Sequence, residues 1–372
     1  MLGAFGVGAV GGAMLNARLR ELCSSEMIVR LSFTGFAASA VVAALSTSTW
    51  LTCLVLLVPG ACWVLALSLF NTTVQLSTPR WVVGDLHSHS EHSDGGVTVL
   101  DAMYRARAAG LDFVAITDHN TVSQNAIRPD DPGLLVIPAM ELTSFYGHTN
   151  FFGLEKPVAD WRCRSPQDVA DKMAEARANG ATIVINHPFQ NSDGGRWQAG
   201  FDVNFDAYEI WNGNWSLMNE QGLAFWQELL CTGRKIPATG GSDFHLKNRR
   251  RHGCPANRLS VETRSIRGIL EAVRKGRNVI AFSPHETMAV PAAAELPMFG
   301  ASVAAGERIG VLFSGLVAGD EIRTVTENGV VATEPAATAS LVLERRFEGR
   351  FVRFEVWYGD RPKLFTNPYY AE

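Results

Sequence analysis

The sequence predicts a mixed α/β protein that carries a helical membrane segment at its amino end. Two observations predict this class. Asp, Glu, Lys and Arg are all absent from residues 31–79, and beyond that stretch short apolar runs alternate with helical segments. A charge-free stretch of this length suits membrane-spanning helices, whereas alternating strands and helices are typical of a parallel sheet or barrel. We therefore expect a membrane segment over residues 1–78 and an α/β domain after it.

The composition excludes several classes of protein. The chain has 372 residues, of which 47% are hydrophobic and 19% charged, as in folded globular proteins rather than disordered ones. Lys and Arg number 33 against 37 Asp and Glu, so there is no basic excess to hold nucleic acid, and no nucleic acid partner is expected. The six cysteines form no closely spaced pair, which argues against a disulfide framework and a zinc finger and fits a reducing compartment.

The charge-free stretch is long enough for two membrane spans. We place them at 31–45 and 50–70, with a polar turn of Ser and Thr between them. A weaker span precedes them at 1–15, where uncharged small residues predominate as in closely packed membrane helices. Since the first positive charge is Arg18, a cleaved signal peptide, which needs a basic start, is not expected.

The basic residues near these spans predict their orientation. Arg18, Arg20 and Arg30 lie between the first and second spans, and basic loops remain on the cytoplasmic side. Two further crossings return the chain to that side at about Gln75. We therefore expect a membrane protein whose catalytic domain lies in the cytoplasm.

The amino-acid sequence of the first eighty or so residues resembles that of a known family of transporters. The runs GVGAVGGAMLNARLR and ACWVLALSLFNTTVQLSTPRWV are similar to part of a major facilitator superfamily transporter. The resemblance covers about eighty residues, too few for a complete transporter. Two interpretations stay open: the segment anchors the rest of the chain, or it is a remnant of a fusion.

Possible metal ligands begin where the charge-free stretch ends. Residues 82–89 read as a strand that ends in His87-Ser88-His89, and alternate side chains of a strand share a face, so both histidines can bind one ion. Asp94 follows in a turn sequence. A second apolar run, 113–119, also ends in an acid and an imidazole, Asp118 and His119.

The same pattern recurs along the next 130 or so residues, since later strand-like runs also end in acids or histidines. These further candidates are Glu141, His148, His187, Asp243 and His245. Side chains at the carboxyl ends of parallel strands meet at one face of a barrel. Six imidazoles and three carboxylates gathered there would be costly without a balancing cation, and nine ligands suffice for two or three divalent ions.

The runs DLHSHSEHSDG, ITDHN, PAMELTSFYGHTN, INHP and GGSDFH resemble the polymerase and histidinol phosphatase (PHP) superfamily of metal-dependent phosphoesterases. The resemblance implies a distorted (β/α)7 barrel with a trinuclear metal centre, and it treats His92 as peripheral. The implied ligands are, for one metal, His87, His89, Glu141 and Asp243; for a second, Glu141, His148 and His187; and for a third, Asp94, His119 and His245. Glu141 would bridge two ions.

A finer resemblance concerns the rest of the chain. The run YEIWNG and the final TNPY are similar to the carbaryl hydrolase-like branch of the superfamily, whose members end in a small β-sandwich-like domain. We therefore expect the barrel at 79–288 and this β domain at 289–372. Strands are expected at 307–314, 321–325, 339–345 and 350–358.

The resemblance implies a metal-dependent hydrolase, most simply a phosphomonoesterase in which a metal-bound hydroxide attacks a small-molecule phosphate ester. Zn, Mn and Fe all suit such a mixed nitrogen and oxygen ligand set. An ester or carbamate hydrolase and a membrane-tethered binding protein without catalysis stay open as alternatives. Glu141, Asp243 and Asp118 are the expected catalytic residues.

Two further details leave alternatives open. Asp118 either orients a ligand or caps a loop. The three arginines at 249–251 either bind a phosphate or form a solvated loop.

Overall fold

The computed structural model describes residues 1–77, 80–127, 129, 131, 133–190, 195–246 and 250–372, and for Glu21, Ser25, residues 71–77 and Arg80 it describes the backbone alone. Contacts between residues divide the chain into two compact units, Met1–Pro79 and Arg80–Glu372. The unit boundary lies where the charge-free stretch ends. The expected boundary near residue 289 stays a prediction. Strands before and after this position hydrogen-bond into one sheet.

The described part of the first unit is helical. Its helices are α1 (Leu2–Leu22), α2 (Ser25–Leu45), α3 (Thr49–Val55) and α4 (Leu57–Ser77). Ser24 and Ser48 cap α2 and α3, since the hydroxyl of each accepts a hydrogen bond from the backbone N–H three residues on. The turn at Leu56 between α3 and α4 comes just before Pro59, which has no N–H to donate to the preceding turn.

Three helical stretches of this unit are long and apolar enough to cross a membrane: Leu2–Arg20, Glu26–Leu45 and Thr49–Phe70. The three expected spans are therefore present. The second begins several residues before Leu31, because Ser24 caps the helix and Arg30 pairs with Glu26 at 2.5 Å on its first turns. A local ion pair of this kind extends a helix beyond its charge-free part.

The helices α1 and α4 pack through glycine. A Cβ added at Gly8 would lie 2.0 Å from the Leu57 carbonyl oxygen, and one at Gly12 would lie 2.7 Å from the Cα of Ala61. A hydrogen bond of 2.9 Å from Asn16 Nδ2 to Ser68 Oγ joins the same two helices. Small residues that let two backbones meet, with a polar bond beside them, are the usual contacts between membrane helices.

The first part of the second unit alternates strands and helices. Its elements are β1 (Arg80–Asp85), α5 (Val99–Ala108), β2 (Phe113–Ala115), a 3₁₀-helix (Ser123–Ile127), β3 (Leu135–Ile137), β4 (Ala139–Ser144), β5 (Gly147–Phe152), α6 (Pro166–Ala178), β6 (Thr182–Ile185), β7 (Ala207–Asn212), α7 (Leu217–Cys231), β8 (Ala238–Gly241), β9 (Ala256–Val261), α8 (Ile266–Arg274) and β10 (Asn278–Ala281). Thr98, Ser165 and Ser265 each accept a backbone hydrogen bond at the start of a helix. The expected mixed α/β class is confirmed.

Two sheets curve around a shared interior. Strands β1, β2 and β3 are parallel, β9 is antiparallel to β1, and β10 is antiparallel to β9. Strands β4 to β8 form the second sheet. Isolated bridges join the sheets at both ends, His119 to Glu141 and Ser88 to Phe244. The carboxyl ends of β1, β2 and β8 are therefore held beside residues of the neighbouring strands.

The sheet departs from parallel pairing at β5. Strands β4 and β5 form an antiparallel hairpin, and β5 is also antiparallel to β6. Directly after the turn between them, β5 begins at Gly147 with φ 117°, a conformation that glycine adopts without strain. The hairpin brings His148 back towards Glu141. His148 pairs with Thr143, which lies two residues after Glu141 on β4.

The remaining strands are β11 (Met288–Pro291), β12 (Ser302–Val303), β13 (Arg308–Ser314), β14 (Asp320–Thr326), β15 (Gly329–Pro335), β16 (Ser340–Arg346), β17 (Phe351–Tyr358), β18 (Arg361–Thr366) and β19 (Tyr369–Ala371). The four expected strands correspond to β13, β14, β16 and β17 within about one residue. Strands β11, β13 and β16 form a separate sheet, whereas β18 pairs with β10 and so continues the barrel sheet. A buried core that includes Phe299, Phe313 and Phe354 lies among these strands.

Candidate metal centre

Two segments that follow β1 and β8 lie side by side. The His89 N–H donates to the Phe244 carbonyl at 2.9 Å, and the Asp243 N–H donates to the His87 carbonyl at 2.8 Å. This pairing brings the Oδ1 of Asp243 to 3.1 Å from His89 Nε2 and 3.5 Å from His87 Nε2. The His-x-His pair and the distant aspartate thus share one face.

Glu141 on β4 is the centre of the cluster. It is fully buried, and its backbone pairs with the end of the β2 segment, where Asn120 N–H donates to its carbonyl at 2.8 Å. Five imidazoles lie within 3.4 Å of its two carboxylate oxygens, namely those of His87, His89, His119, His148 and His187. One carboxylate surrounded in this way has the position of a bridging ligand.

Asp94 and His245 form the outer edge of the cluster. His245 Nε2 lies 3.0 Å from Asp94 Oδ1, and His119 Nε2 lies 3.5 Å from the same oxygen. The Asp94 side chain is 59% exposed, far more than any other acid of the cluster. Its hydrogen bond to His245 lowers the pKa of Asp94 to about 2, so this carboxylate is charged at neutral pH.

Ligand-type atoms gather in four groups within which all atoms lie within 4.8 Å of one another. The groups are His89, Asp94, His119 and His245; His87, His89 and Asp243; His87, His187 and Glu209; and Glu141, His148 and His187. All nine residues expected as ligands occur in them. Which residue binds which ion stays a prediction.

The geometry of the cluster fits divalent metal ions. Two atoms bound to one ion at about 2.1 Å lie about 3.0–3.4 Å apart at octahedral or tetrahedral angles. The contacts around Glu141 and Asp243 fall close to that range. In addition, His87 Nε2 and His89 Nε2 are buried and make no hydrogen bond of acceptable geometry within the described residues. Buried nitrogens that face carboxylates in this way are positioned to bind cations.

The backbone is strained at two of the predicted ligands. His187 has φ 23° and Asp243 has φ 49°, in the left-handed region that residues other than glycine seldom adopt. Such conformations cost roughly 1–3 kcal/mol each and concentrate at functional sites. Each lies two residues after the end of a strand, β6 or β8, and turns its side chain into the cluster.

The charges of the cluster compensate one another. Burial raises the pKa of Glu141, but the positive charge of His87, His119 and His148 outweighs it and holds the pKa well below its usual value. The same balance, with His87, His89 and Arg250 as the opposing groups, lowers the pKa of Asp243. Both acids are therefore ionised, which is the state that binds metal.

Glu209 on β7 is a site residue that the sequence analysis missed. Its Oε1 lies 3.0 Å from His87 Nδ1, and its Oε2 accepts hydrogen bonds from the His187 N–H at 3.0 Å and from Asn212 Nδ2 at 3.1 Å. A Cβ added at Gly241 would lie 2.4 Å from Glu209 Oε1, so a glycine is needed there. The sequence feature that could have identified it is the acid within the YEIWN strand. This acid faces the same interior as the strand-end ligands.

Two other predicted residues lie at the edge of the centre. Asp118 is buried and accepts hydrogen bonds from the Ser90 N–H at 2.8 Å, the Ser90 hydroxyl at 2.6 Å and the Ser93 hydroxyl at 2.5 Å. These contacts favour the cap of the loop that carries Asp94 over the orientation of a ligand. His92 contacts the hydroxyl of Ser123 at 2.7 Å and occurs in none of the four groups.

Arg250, the middle residue of the arginine run, makes contacts that neither alternative from the sequence described. Arg250 Nη1 donates to Asp243 Oδ2 at 2.7 Å and to Asn212 Oδ1 at 2.9 Å, so it braces a predicted ligand instead of lying in a solvated loop. Arg251 is exposed. Arg249 lies outside the described residues.

Comparison with protein families gives two matches. The model of the PHP domain matches residues 85–185, and that of a transmembrane secretion effector family of the major facilitator type matches residues 1–103. No curated protein gives a significant match. The two resemblances inferred from the motifs are thus confirmed, whereas the carbaryl hydrolase-like branch stays a prediction.

Several solved structures are similar to the chain at low identity. A two-domain protein from Bacteroides vulgatus that contains a predicted PHP-like metal-dependent phosphoesterase has 16% identity and a TM-score of 0.46, over 78% of this chain and 95% of that one. A protein from Bifidobacterium adolescentis described as a putative metal-dependent phosphoesterase has 18% identity and a TM-score of 0.32, over 45% of this chain and 90% of that one. An amidohydrolase from Chromobacterium violaceum, solved with sulfate and no metal, has 17% identity and a TM-score of 0.31, over 43% and 87%.

The family match and the ligand cluster concern the same part of the chain. The matched range contains the six cluster residues from His87 to His148, and the remaining ones follow it in sequence. Together they support a divalent metal site and a metal-dependent hydrolase. Within the second unit, residues 85–185 match the model of the PHP domain.

Proposed function

We propose that the protein is a metal-dependent phosphoesterase that hydrolyses a small-molecule phosphate ester, held at a membrane by residues 1–78. The observation that carries the proposal is the single buried carboxylate of Glu141, with five imidazoles within 3.4 Å of its oxygens. An arrangement of this kind, with Asp94 and Asp243 beside it, suits two or three divalent ions. Zn, Mn and Fe are the candidates.

Bound there, divalent ions would lower the pKa of water and neutralise the negative oxygens of a phosphate ester. The residues of the chain hold that chemistry in place. Glu141 would be the shared central ligand, His87, His89 and Asp243 would hold a metal on one side, His148 and His187 would do so on the second, and Asp94, His119 and His245 would form the outer edge.

Other residues orient these ligands. Glu209 holds the Nδ1 of His87 and the N–H of His187, which fixes the ring of the first and the backbone of the second. Arg250 binds the outer oxygen of Asp243 and leaves Oδ1 facing the histidines. Hydrogen bonds from such groups keep ligand side chains in the geometry that a metal requires.

The test uses the full chain, purified in mild detergent and loaded with each of Zn, Mn and Fe. Turnover of p-nitrophenyl phosphate is compared with that of p-nitrophenyl acetate, which has the same leaving group but no phosphate. We expect the phosphate ester to be hydrolysed, activity to disappear with a chelator and two to three ions per chain by elemental analysis. Hydrolysis of the acetate alone would replace the proposal with a carboxylic ester or carbamate hydrolase, and no hydrolysis with intact metal binding would favour a binding protein.

We further propose that the PHP domain lies on the cytoplasmic side. Arg18 and Arg20 lie at the end of the first candidate span and Arg30 lies near the start of the second, so these basic residues flank the connection between the two spans. Three candidate spans, an odd number of crossings, precede the domain in the described part of the chain. In sealed inverted vesicles, added protease should digest the domain without detergent. Protection of the domain in such vesicles, and digestion in vesicles of the opposite orientation, would reverse this topology.

A further inference from the structure

A cleft of about 430 Å³ opens beside the candidate metal centre. Its inner end includes His148, whose Nδ1 is 3.3 Å from Glu141 Oε1, and Thr143, whose hydroxyl contacts the His119 ring. A substrate whose phosphate lies at the cluster would therefore extend its remaining part into this cleft. Asn120, hydrogen-bonded to the backbone of Thr143, completes the inner end.

Two large aromatic side chains line the outer part of the cleft. Phe145 is 66% exposed and Trp161 is 45% exposed, although the second unit buries most of its large aromatic residues. Leaving such rings in water gives up the free energy that their burial would provide, roughly 1.5–3 kcal/mol for a Phe. Exposed aromatic groups around a concave site are typical of a surface that contacts a ligand.

The segment that carries Trp161 is fastened to the hairpin that carries Phe145. The Tyr146 hydroxyl donates to the Arg164 carbonyl at 2.7 Å, and Arg162 Nε donates to Asp160 Oδ1 at 2.8 Å. The cleft is thus formed before any ligand arrives, so less conformational entropy is lost on binding. Because Arg162 pairs with Asp160, the two charges at the rim compensate each other.

We propose that this cleft binds the leaving group of the substrate and that the leaving group is a flat, uncharged ring system. Resting on the proposed function, this inference narrows the substrate class to aryl and similar ring-bearing phosphate esters. Phe145 and Trp161 provide aromatic contacts, and the compensated rim does not favour a charged group. Simple alkyl phosphates would reach the metal centre but gain nothing from the cleft.

Binding of two phosphonates tests this inference without turnover, because their C–P bond is not hydrolysed. The full chain in detergent, loaded with metal, is titrated with phenylphosphonate and with methylphosphonate by calorimetry. We expect phenylphosphonate to bind at least about tenfold more tightly. Phe145→Ala and Trp161→Ala should each reduce that preference about threefold to tenfold, the usual effect of one aromatic contact, and leave the methylphosphonate affinity unchanged.

The matched control is Tyr104→Ala, which removes an aromatic side chain that is 72% exposed on α5 and does not line the cleft. It should leave both affinities as they are. Equal affinity of the wild type for the two phosphonates would overturn the inference. So would a preference for the phenyl compound that both cleft variants retain, since the ring would then bind elsewhere.

Kinetics separates this inference from the proposed function. For 1-naphthyl phosphate and glycerol 3-phosphate, the ratio of kcat/KM values is compared between wild type and the cleft variants, so that the intrinsic reactivity of each ester cancels. We expect the ratio to fall about threefold to tenfold in the variants. If both esters are hydrolysed and the ratio of their kcat/KM values is the same in wild type and variants, the cleft inference is wrong and the proposed phosphoesterase function stands. If the variants lose the preference for phenylphosphonate but no phosphate ester is hydrolysed, the cleft inference stands and the proposed phosphoesterase function is wrong.

Discussion

The two units of the chain place apolar and charged side chains in opposite ways. In the helical unit Leu2 is 91% exposed and Trp50 is 84% exposed, whereas in the barrel unit Trp226 and the charged Glu141 are both fully buried. Exposed apolar helices are stable in the hydrocarbon of a membrane. Buried carboxylates and imidazoles are stable only when they are paired or bind a cation. Each unit therefore depends on a partner that its own sequence implies, a bilayer in one and metal ions in the other.

The packing inside each unit differs as well. In the helical unit, glycines allow the backbones of α1 and α4 to touch, and a small apolar cluster that includes Leu65 and Leu69 lies beside this contact. In the barrel, by contrast, ligands from many strand ends meet in one place. Substitutions in the helical unit should therefore leave the metal content of the barrel unit unchanged, and substitutions in the barrel unit should leave the thermal unfolding of the helices unchanged.

The largest effect is expected for Glu141→Gln, which keeps the size of the side chain and removes the charge at the centre of five imidazoles. Loss of a metal bridge worth several kcal/mol predicts a fall in kcat/KM of at least about a thousandfold. Metal content, measured by elemental analysis, should fall with it. Circular dichroism should show a folded chain, and wild-type turnover would move the active site elsewhere.

Removing the helical unit is the next test. A chain that begins near Leu76 lacks the three apolar helices but keeps every residue of the cluster. We expect it to be soluble without detergent and to retain activity within about twofold, whereas the full chain should sediment with membranes and resist extraction by salt. Full-length protein in the soluble fraction would defeat the membrane anchor. A shortened chain that stays inactive with metal supplied would make the helices part of the catalytic fold.

A smaller loss is expected for Glu209→Gln, because this residue holds His87 and His187. Substitutions of groups that orient metal ligands reduce metal affinity or activity about 10- to 100-fold. The measurement is a competition titration of metal against a chromogenic chelator. Glu228→Gln on the exposed face of α7 is the control and should match wild type. An effect as large as that of Glu141→Gln would indicate that Glu209 is itself a ligand.

The glycine contacts allow a test confined to the helical unit. Gly8→Val places side-chain atoms where a Cβ would already lie 2.0 Å from the Leu57 carbonyl, and crowding of this kind costs roughly 1–3 kcal/mol. We expect a lower midpoint of thermal unfolding for the helices in detergent, with metal content unchanged. Gly6→Val is the matched control, since nothing lies within 4 Å of its added Cβ. Equal effects of the two substitutions would argue against close packing of α1 and α4.

The smallest effect is expected for His92→Ala. This histidine lies near the cluster in sequence, but its ring contacts Ser123 and belongs to no group of ligands. Activity and metal content should change by less than about twofold, as for most partly exposed side chains away from a site. A tenfold loss of activity would bring His92 into the site.

Local patterns in the sequence were enough to predict most of this molecule. The absence of charge over residues 31–79 marks the helical unit, because a membrane requires apolar side chains along a whole span. Strand-like runs that end in acids or histidines predicted the α/β class and all nine residues now found in the ligand groups. Both features are visible in sequence because they repeat with the period of the structure or recur at equivalent positions in it.

Only the tertiary structure decided which distant groups meet. The contact between Glu209 and His87, and that between Arg250 and Asp243, depend on the closure of the barrel between its first and eighth strands. The sequence analysis missed strand β15. Most of its side chains are exposed, so its sequence shows no regular apolar face. Periodicity reports how one element is buried, whereas the position of a side chain such as Glu209 depends on register and strand order across the whole sheet, which no local pattern contains.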